Sequence, residues 1–262
     1  MTVPYAPTVS LVLPMFNEEE NIEAALLLAV EALEQYSSDY EIIVVDDAST
    51  DRSPEIVERL ASENRRIQVL RHEQNRKLGG ALRSGFAAAS KDLVLYMDAD
   101  LPSDPRELGR AIRAMNVTRA DVIAGYRFDR TTEGFKRSLY SRVYNGLIGL
   151  LFGWPYRDIN FAFKLMKKEV LDAVEIRSEG SLIDAEIIVK AKNLGFVVQQ
   201  IGVDYFPRSR GRSSLSSPAV ILKIFKELAI LHSDMRNPRR KSPAREGSLA
   251  VKERTSQTAA GT

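Results

Sequence analysis

Cysteine is absent from the 262 residues. Disulfides and cysteine-ligated metals are therefore excluded, and a reducing compartment is compatible with the chain. Long apolar runs are missing as well. No stretch approaches the roughly 20 residues of a membrane-spanning helix, and residues 1–7 do not read as a secretory leader. The turn after the first expected strand, Pro-Met-Phe-Asn-Glu-Glu, has no glycine fingerprint of the dinucleotide folds, and no Walker pattern occurs. There is no internal repeat. The formal charge is only +2, but it is unevenly placed. From Arg236 onward there are seven Lys/Arg against two Asp/Glu, about +5, which leaves the rest of the chain near −3.

An apolar content of 44% allows a full core. Residues 93–102, Leu-Val-Leu-Tyr-Met-Asp-Ala-Asp-Leu-Pro, organise the remainder. Five apolar residues in succession predict a strand buried on both faces. It runs into Asp98 and Asp100, whose side chains share one side of an extended backbone. Two carboxylates so placed repel unless a cation lies between them. A hard divalent ion that also bridges substrate phosphates is the natural occupant. An Asp-rich turn closing a strand is the plainer reading of the same residues. Open α/β sheets keep their ligands at this end of their strands.

Residues 9–13 predict the first strand, stopped by Pro14. Asn17 is expected to cap the next helix, with Glu20 completing a capping box. Asn17 and Glu18 also stand where strand hands over to helix, so a ligand role is open. Residues 41–45 predict a second strand ending in Asp46-Asp47, where a carboxylate can accept from a ribose or base edge or simply form a turn. After a third strand at 67–70, Lys77, Gly79 and Gly80 open a helix. Amides at a helix start beside a lysine suit an anion, and close packing is the alternative for Gly79 and Gly85. Asp104-Pro105 reads as a helix start. Residues 121–125 form a fifth strand with Arg127 at its carboxyl end. The alternation predicts a parallel sheet with helices on both faces.

Beyond Arg127 the pattern changes. A polar loop at 128–135 precedes a helix at 136–152, on which Arg137 and Ser141 share a face. Residues 153–163 read as a loop containing Trp154 and Asp158. A further helix opens at Ser181, where Asp184 either closes a capping box or carries chemistry. A strand at 197–205 leads to a cationic loop with Arg208, Arg210 and Arg212. The amphipathic helix 218–232 either docks on the domain or lies in a membrane interface. The composition of the tail predicts disorder.

Taken in order, Pro14-Met-Phe-Asn-Glu18, Asp46-Asp-Ala-Ser-Thr-Asp51, the Lys77 and Gly79-Gly80-Ala81 turn with Gly85, Asp98-Ala-Asp100, Gly125-Tyr-Arg127, Asn160-Phe-Ala-Phe-Lys164 and Arg208-Ser-Arg-Gly-Arg-Ser-Ser214 resemble the inverting glycosyltransferases of family 2. The resemblance covers about residues 8–214 and is closest to the dolichyl- or polyprenyl-phosphate mannosyltransferase-like branch. It implies an α/β domain of the GT-A fold over residues 1–214, followed by an amphipathic helix at 215–235 and a basic disordered tail at 236–262. The implied donor pocket uses Pro14, Asn17, Glu18, Asp46, Asp47, Lys77, Gly80 and Asp98. Asp98 and Asp100 are implied to hold Mg²⁺ or Mn²⁺ on the diphosphate, and Arg127, Arg137, Ser141 and Arg208 to grip an acceptor phosphate. Asp100, Arg127 and Asp184 are the candidate catalytic residues.

Two departures from the family pattern stand out. Pro102 occupies the place of a further metal-binding glutamine, and the late helix lacks the adjacent Glu-Asp pair that supplies a base in other branches. A lipid phosphate is already ionised and needs cations rather than a base. The expected reaction is thus transfer of a hexose from a nucleoside-diphosphate sugar, GDP-mannose by family default with UDP-glucose as rival, to a polyprenyl phosphate. Asp184 as base for a hydroxyl acceptor is the competing mechanism, and a non-catalytic membrane-surface protein is the competing class. Nucleic acid is not an expected partner. The expected location is the cytoplasmic face of a membrane, bound peripherally through residues 218–232 or a membrane partner subunit.

Overall fold

The computed structural model describes residues 6–128, 135–153, 157–204 and 218–241, with side chains outside the description at 135–140 and 218–225. The sheet has seven strands in the order β3-β2-β1-β4-β6-β5-β7. They are β1 (Thr8–Met15), β2 (Asp39–Asp46), β3 (Ile67–Arg71), β4 (Leu93–Met97), β5 (Val122–Arg127), β6 (Phe163–Lys167) and β7 (Val198–Val203). All neighbours run parallel except β6, which is antiparallel to both β4 and β5.

Side chains alternate through the central strands, so both faces are apolar. Val9, Leu11 and Leu13 of β1 pack with α1 (Ile22–Tyr36), α2 (Ser53–Glu63) and α4 (Glu107–Thr118). Val12, Ile43, Val94 and Tyr96 point the other way. They meet α3 (Lys77–Ala88), α5 (Phe135–Phe152), α6 (Lys168–Ala173) and α7 (Ile183–Asn193). The chain lays β2 and β3 to one side of β1, then returns to place β4 on its other side. The carboxyl ends of β1 and β4 thus form the switch point at which such sheets leave a crevice.

Several boundaries differ from expectation for identifiable reasons. Asn17 does not cap α1, which starts at Ile22 after Asn21, and the Asn17–Glu20 capping box is absent. Asn17 instead takes a left-handed conformation, φ 56°. Its backbone N–H donates to Ser49 Oγ at 3.0 Å and its Oδ1 accepts the Thr50 N–H at 2.8 Å, lacing the β1 turn to the β2 turn. Asp104 caps the turn before α4 by accepting the Arg106 N–H at 2.8 Å, and the helix begins at Glu107. Strand β6 and helix α6 lie where no element was expected. The short run Phe-Lys-Leu-Met-Lys reads as strand only once β4 and β5 flank it. The second half of α8 (Pro218–Arg236) docks on the domain, with Leu228 and Met235 buried and the Asn193 side-chain amide donating to Met235 O at 2.8 Å.

Candidate active site

Three strand ends converge on the crevice. At the end of β2, Asp46 and Asp47 are both buried. Asp46 Oδ1 accepts the Ser49 N–H at 2.9 Å and Oδ2 lies 3.3 Å from Arg71 Nε. Asp47 Oδ1 accepts the Arg76 N–H at 2.8 Å and faces His72 Nδ1 at 2.7 Å. At the end of β1, Pro14 is the penultimate strand residue. The next turn is tied across to β2, because the Glu18 N–H donates to Ser53 Oγ at 2.8 Å while Glu18 Oε2 accepts from Asn21 Nδ2 at 2.8 Å. The residues expected to line a nucleoside pocket therefore sit on two adjacent strand ends held by one hydrogen-bond web.

Asp98 and Asp100 follow β4 directly. Both carboxylate oxygens of Asp100 are sealed from solvent, and Tyr96 OH lies 3.4 Å from Asp98 Oδ1. Tyr96 is fully buried. That burial, with the charges of Asp184, Asp98 and Asp100, pushes its pKa well above that of an ordinary tyrosine, so it remains a hydroxyl. Among the described residues no group of three or more His, Cys, Asp or Glu could cage a metal ion. Two carboxylates at one strand end fit a hard divalent ion whose other ligands are diphosphate and water, as Mg²⁺ takes them. Pro102 is buried and brings no side-chain donor atom.

The third group lies across β6. Lys164 pairs with Tyr96 in the ladder, and its ammonium lies 5.6 Å from that ring's centroid. It donates to Phe161 O at 2.8 Å and to Asp184 Oδ1, with both side chains buried. Asp184 is thus neither a cap nor free. Ser181 is outside α7, and the Asp184 carboxylate is turned into the sheet. Burial pushes its pKa up, Lys164 opposes that, and the nearby Asp158 charge adds to it. Arg127, at the end of β5, is gripped by Asp158 through two bonds, Nε to Oδ2 at 2.5 Å and Nη2 to Oδ1 at 2.7 Å. Ser141 accepts from Asn145 Nδ2 at its Oγ (3.2 Å), and Asn145 Oδ1 accepts the Ile159 N–H at 2.9 Å, so α5 is fastened to the loop that carries Asp158. The Arg137 side chain and Arg208 lie outside the described residues.

The glycine turn is built for contact. The Gly79 N–H donates to Glu179 O at 2.9 Å and that of Gly80 to Arg76 O at 3.3 Å. Lys77 Nζ meets Glu179 Oε2 at 2.8 Å. Sequence reading passed over His72 and the partnership of Asp158 with Arg127, and it quoted Lys164 only as the end of the Asn160–Lys164 motif, with no role assigned. A lysine between apolar residues in Phe163-Lys-Leu-Met166 was the available signal, since a buried ammonium requires a carboxylate partner.

The chain is 35% identical over 207 residues to the glycosyltransferase AglD of Haloferax volcanii, covering 76% of this chain and 33% of that protein. It is 32% identical over 218 residues to the dolichol-phosphate mannosyltransferase of Pyrococcus furiosus (81% and 60%). It is also 32% identical to the undecaprenyl-phosphate 4-deoxy-4-formamido-L-arabinose transferase of Edwardsiella ictaluri (78% and 62%). The chain thus spans between a third and about three-fifths of these relatives. The crystal structure of glucosyl-3-phosphoglycerate synthase from Mycobacterium tuberculosis with UDP superposes with a TM-score of 0.67 at 21% identity, covering 87% of this chain and 80% of that one. The fold is the GT-A-like α/β arrangement expected from the sequence. Residues 10–175 match the model of glycosyl transferase family 2, so the chain with these carboxylate-tipped strands belongs to that family.

Proposed function

We propose that the chain transfers a hexose, with inversion, from a nucleoside-diphosphate sugar to a polyprenyl phosphate. The observation that carries the choice of acceptor is the buried Lys164–Asp184 pair. A sugar hydroxyl needs a base to become a nucleophile. The candidate base is held by an ammonium on the inner side of the sheet, and taking up a proton would forfeit that pair. A phosphate acceptor is ionised at neutral pH and needs only to be held and aimed. Arg127, which Asp158 holds in place, is proposed for that role together with Ser141, Arg137 and Arg208, carried over from the family resemblance. The names of the Pyrococcus and Edwardsiella relatives, both of which contain a polyprenyl phosphate, support the same acceptor.

Pro14, Asn17, Glu18, Asp46 and Asp47 would receive the nucleoside, and Lys77, Gly80 and Asp98 the diphosphate side of the donor. GDP-mannose is the proposed donor and UDP-glucose the rival. Asp98 and Asp100 would hold Mg²⁺ or Mn²⁺, which when bound offsets the charge developing on the departing diphosphate. No helix among the described residues is long and apolar enough to cross a membrane. Separately, we propose that the lipid acceptor is met at the cytoplasmic face of a membrane, through exposed apolar side chains of α5 and α8 or through a partner subunit.

The test is transfer from a panel of nucleotide sugars to polyprenyl phosphate with Mn²⁺. Asp100→Asn is expected to lower turnover by about a hundredfold or more, the scale of losing one electrostatic element of an active site. The paired Lys164→Met/Asp184→Asn variant, which removes both buried charges together, is expected to stay within about tenfold of the parent, general-base removal being costlier, whereas Asp184→Asn alone strands the Lys164 ammonium and is expected to lower stability. Loss of turnover in a folded paired variant would instead establish a hydroxyl acceptor with Asp184 as base. Failure of the parent to bind any nucleoside diphosphate by calorimetry would leave a non-catalytic surface protein.

A further inference from the structure

His72 follows β3 and is buried, as is Asp47. Its Nδ1 lies 2.7 Å from Asp47 Oδ1 and its Nε2 lies 2.9 Å from Ser84 Oγ on α3. The same Asp47 oxygen accepts the Arg76 N–H at 2.8 Å. A carboxylate only accepts, so the proton in the shorter contact resides on Nδ1; in the neutral ring Nε2 then accepts from the serine hydroxyl. The backbone reinforces this placement, since the His72 N–H donates to Asp46 O at 2.9 Å and Asn75 Nδ2 donates to Asp47 O at 3.2 Å. Asp47 Oδ2 takes no hydrogen bond from the described residues.

We propose that His72 is a positioning residue of the donor pocket: by holding Asp47 Oδ1 from behind, it turns Oδ2 toward the nucleoside. The proposal rests on the donor reading above and assigns His72 a task that does not involve the reacting atoms. It makes a stereochemical demand. Asparagine at 72 places its amide where Nδ1 stood and can still donate to Asp47. Glutamine places its amide where Nε2 stood, toward Ser84, and leaves Asp47 unheld.

The experiment is calorimetric titration of UDP and GDP, each with Mn²⁺, into the parent protein, His72→Asn and His72→Gln, with thermal midpoints measured alongside. His72→Asn is expected to bind within about threefold of the parent. His72→Gln is expected to bind about tenfold more weakly or worse, the factor carried by one charge-assisted hydrogen bond. Equal binding by a folded His72→Gln protein overturns the proposal and leaves the donor reading standing. Absence of binding by the parent to either nucleotide overturns both. A second measurement does not depend on variants. The chain has two histidines, His72 and His232, so nitrogen-detected imidazole spectra of the parent separate into two rings. A proton on Nδ1 of His72, with signals that move on nucleotide saturation while those of His232 stay, is the expected result. A bare Nδ1, or signals indifferent to nucleotide, overturns the proposal.

Discussion

Single side chains hold the parts of this sheet together, and Glu41 on β2 is an example. It is 7% exposed, yet its carboxylate accepts from Ser10 Oγ at 2.6 Å, the Ser90 N–H at 2.7 Å, Ser90 Oγ at 2.9 Å and Gln68 Nε2 at 3.2 Å. Burial alone would raise its pKa, but the bonds from Ser10 and Ser90 outweigh burial and hold it below the ordinary value. For a depressed carboxylate, the stabilisation is present above the unfolded pKa of about 4.3 and is lost as the pH falls through the folded value. Glu41→Gln is therefore expected to cost about 1–3 kcal/mol at pH 7, because the serine donors lose an ionised acceptor and, with the glutamine carbonyl kept toward Ser10 and Ser90, the Gln68 amide is left facing a second amide donor. Urea unfolding at a series of pH values should show the gap between variant and parent narrowing below about pH 4. A gap independent of pH would refute the ionised role of Glu41.

At the level of elements, α3 and the segment before α7 act as one body. Glu186 accepts the N–H groups of Arg177 and Ser178 at 2.9 and 2.7 Å, and Ser178 O accepts from Arg83 Nη1 at 2.6 Å. Gly79 completes the contact. A Cβ there would stand 2.1 Å from Ser178 O and 2.7 Å from Glu179 Cα, both backbone atoms that cannot swing aside. Gly79→Ala is expected to destabilise by about 1–3 kcal/mol, read as a thermal midpoint lower by about 2–4 °C per kcal/mol. Gly146→Ala on α5 is the control. A Cβ at Gly146 meets nothing within 4 Å, so helix propensity alone should act, and the variant should gain up to about 1 kcal/mol. Equal losses in the two variants would refute the close-approach account.

The whole molecule presents an uneven surface. Val143 and Leu150, two turns apart on α5, are 57% and 82% exposed, and Ile230 on α8 is 68% exposed. Arg236 at the end of α8, and Arg239, Arg240 and Lys241 just beyond it, are all exposed. The two helices meet where the Phe152 and His232 rings lie 5.4 Å apart. Exposed apolar side chains on α5 and α8, with cations at and after the end of α8, are a combination that suits an anionic lipid surface, where each cation contributes about 1 kcal/mol. Sedimentation with vesicles containing anionic lipid should fall when Val143, Leu150 and Ile230 are changed to Asp, with nucleotide binding retained. Arg239→Gln/Lys241→Gln should remove part of the salt-dependent binding. Unchanged sedimentation in both variants would refute a lipid-facing role for this surface.

Local pattern alone dictated the buried strands, the helix on each side of them and the carboxylates at their tips. Alternation, apolar runs and acidic strand ends are properties of neighbouring residues, and Asp46, Asp47, Asp98 and Asp100 were legible for that reason. The antiparallel β6 was not legible, because Lys164 in a strand makes sense only with Asp184, twenty residues away, waiting beneath the sheet. Nor was the partnership of His72 with Asp47, or of Asp158 with Arg127. Asn17 looked like a cap because its neighbours resemble a helix start, and only the β2 turn beside it explains its left-handed backbone. Which charge meets which, and so which carboxylates are held and which face the crevice, depends on long-range strand order. That order follows from burying both faces of the sheet at once, a requirement no local stretch of sequence can express.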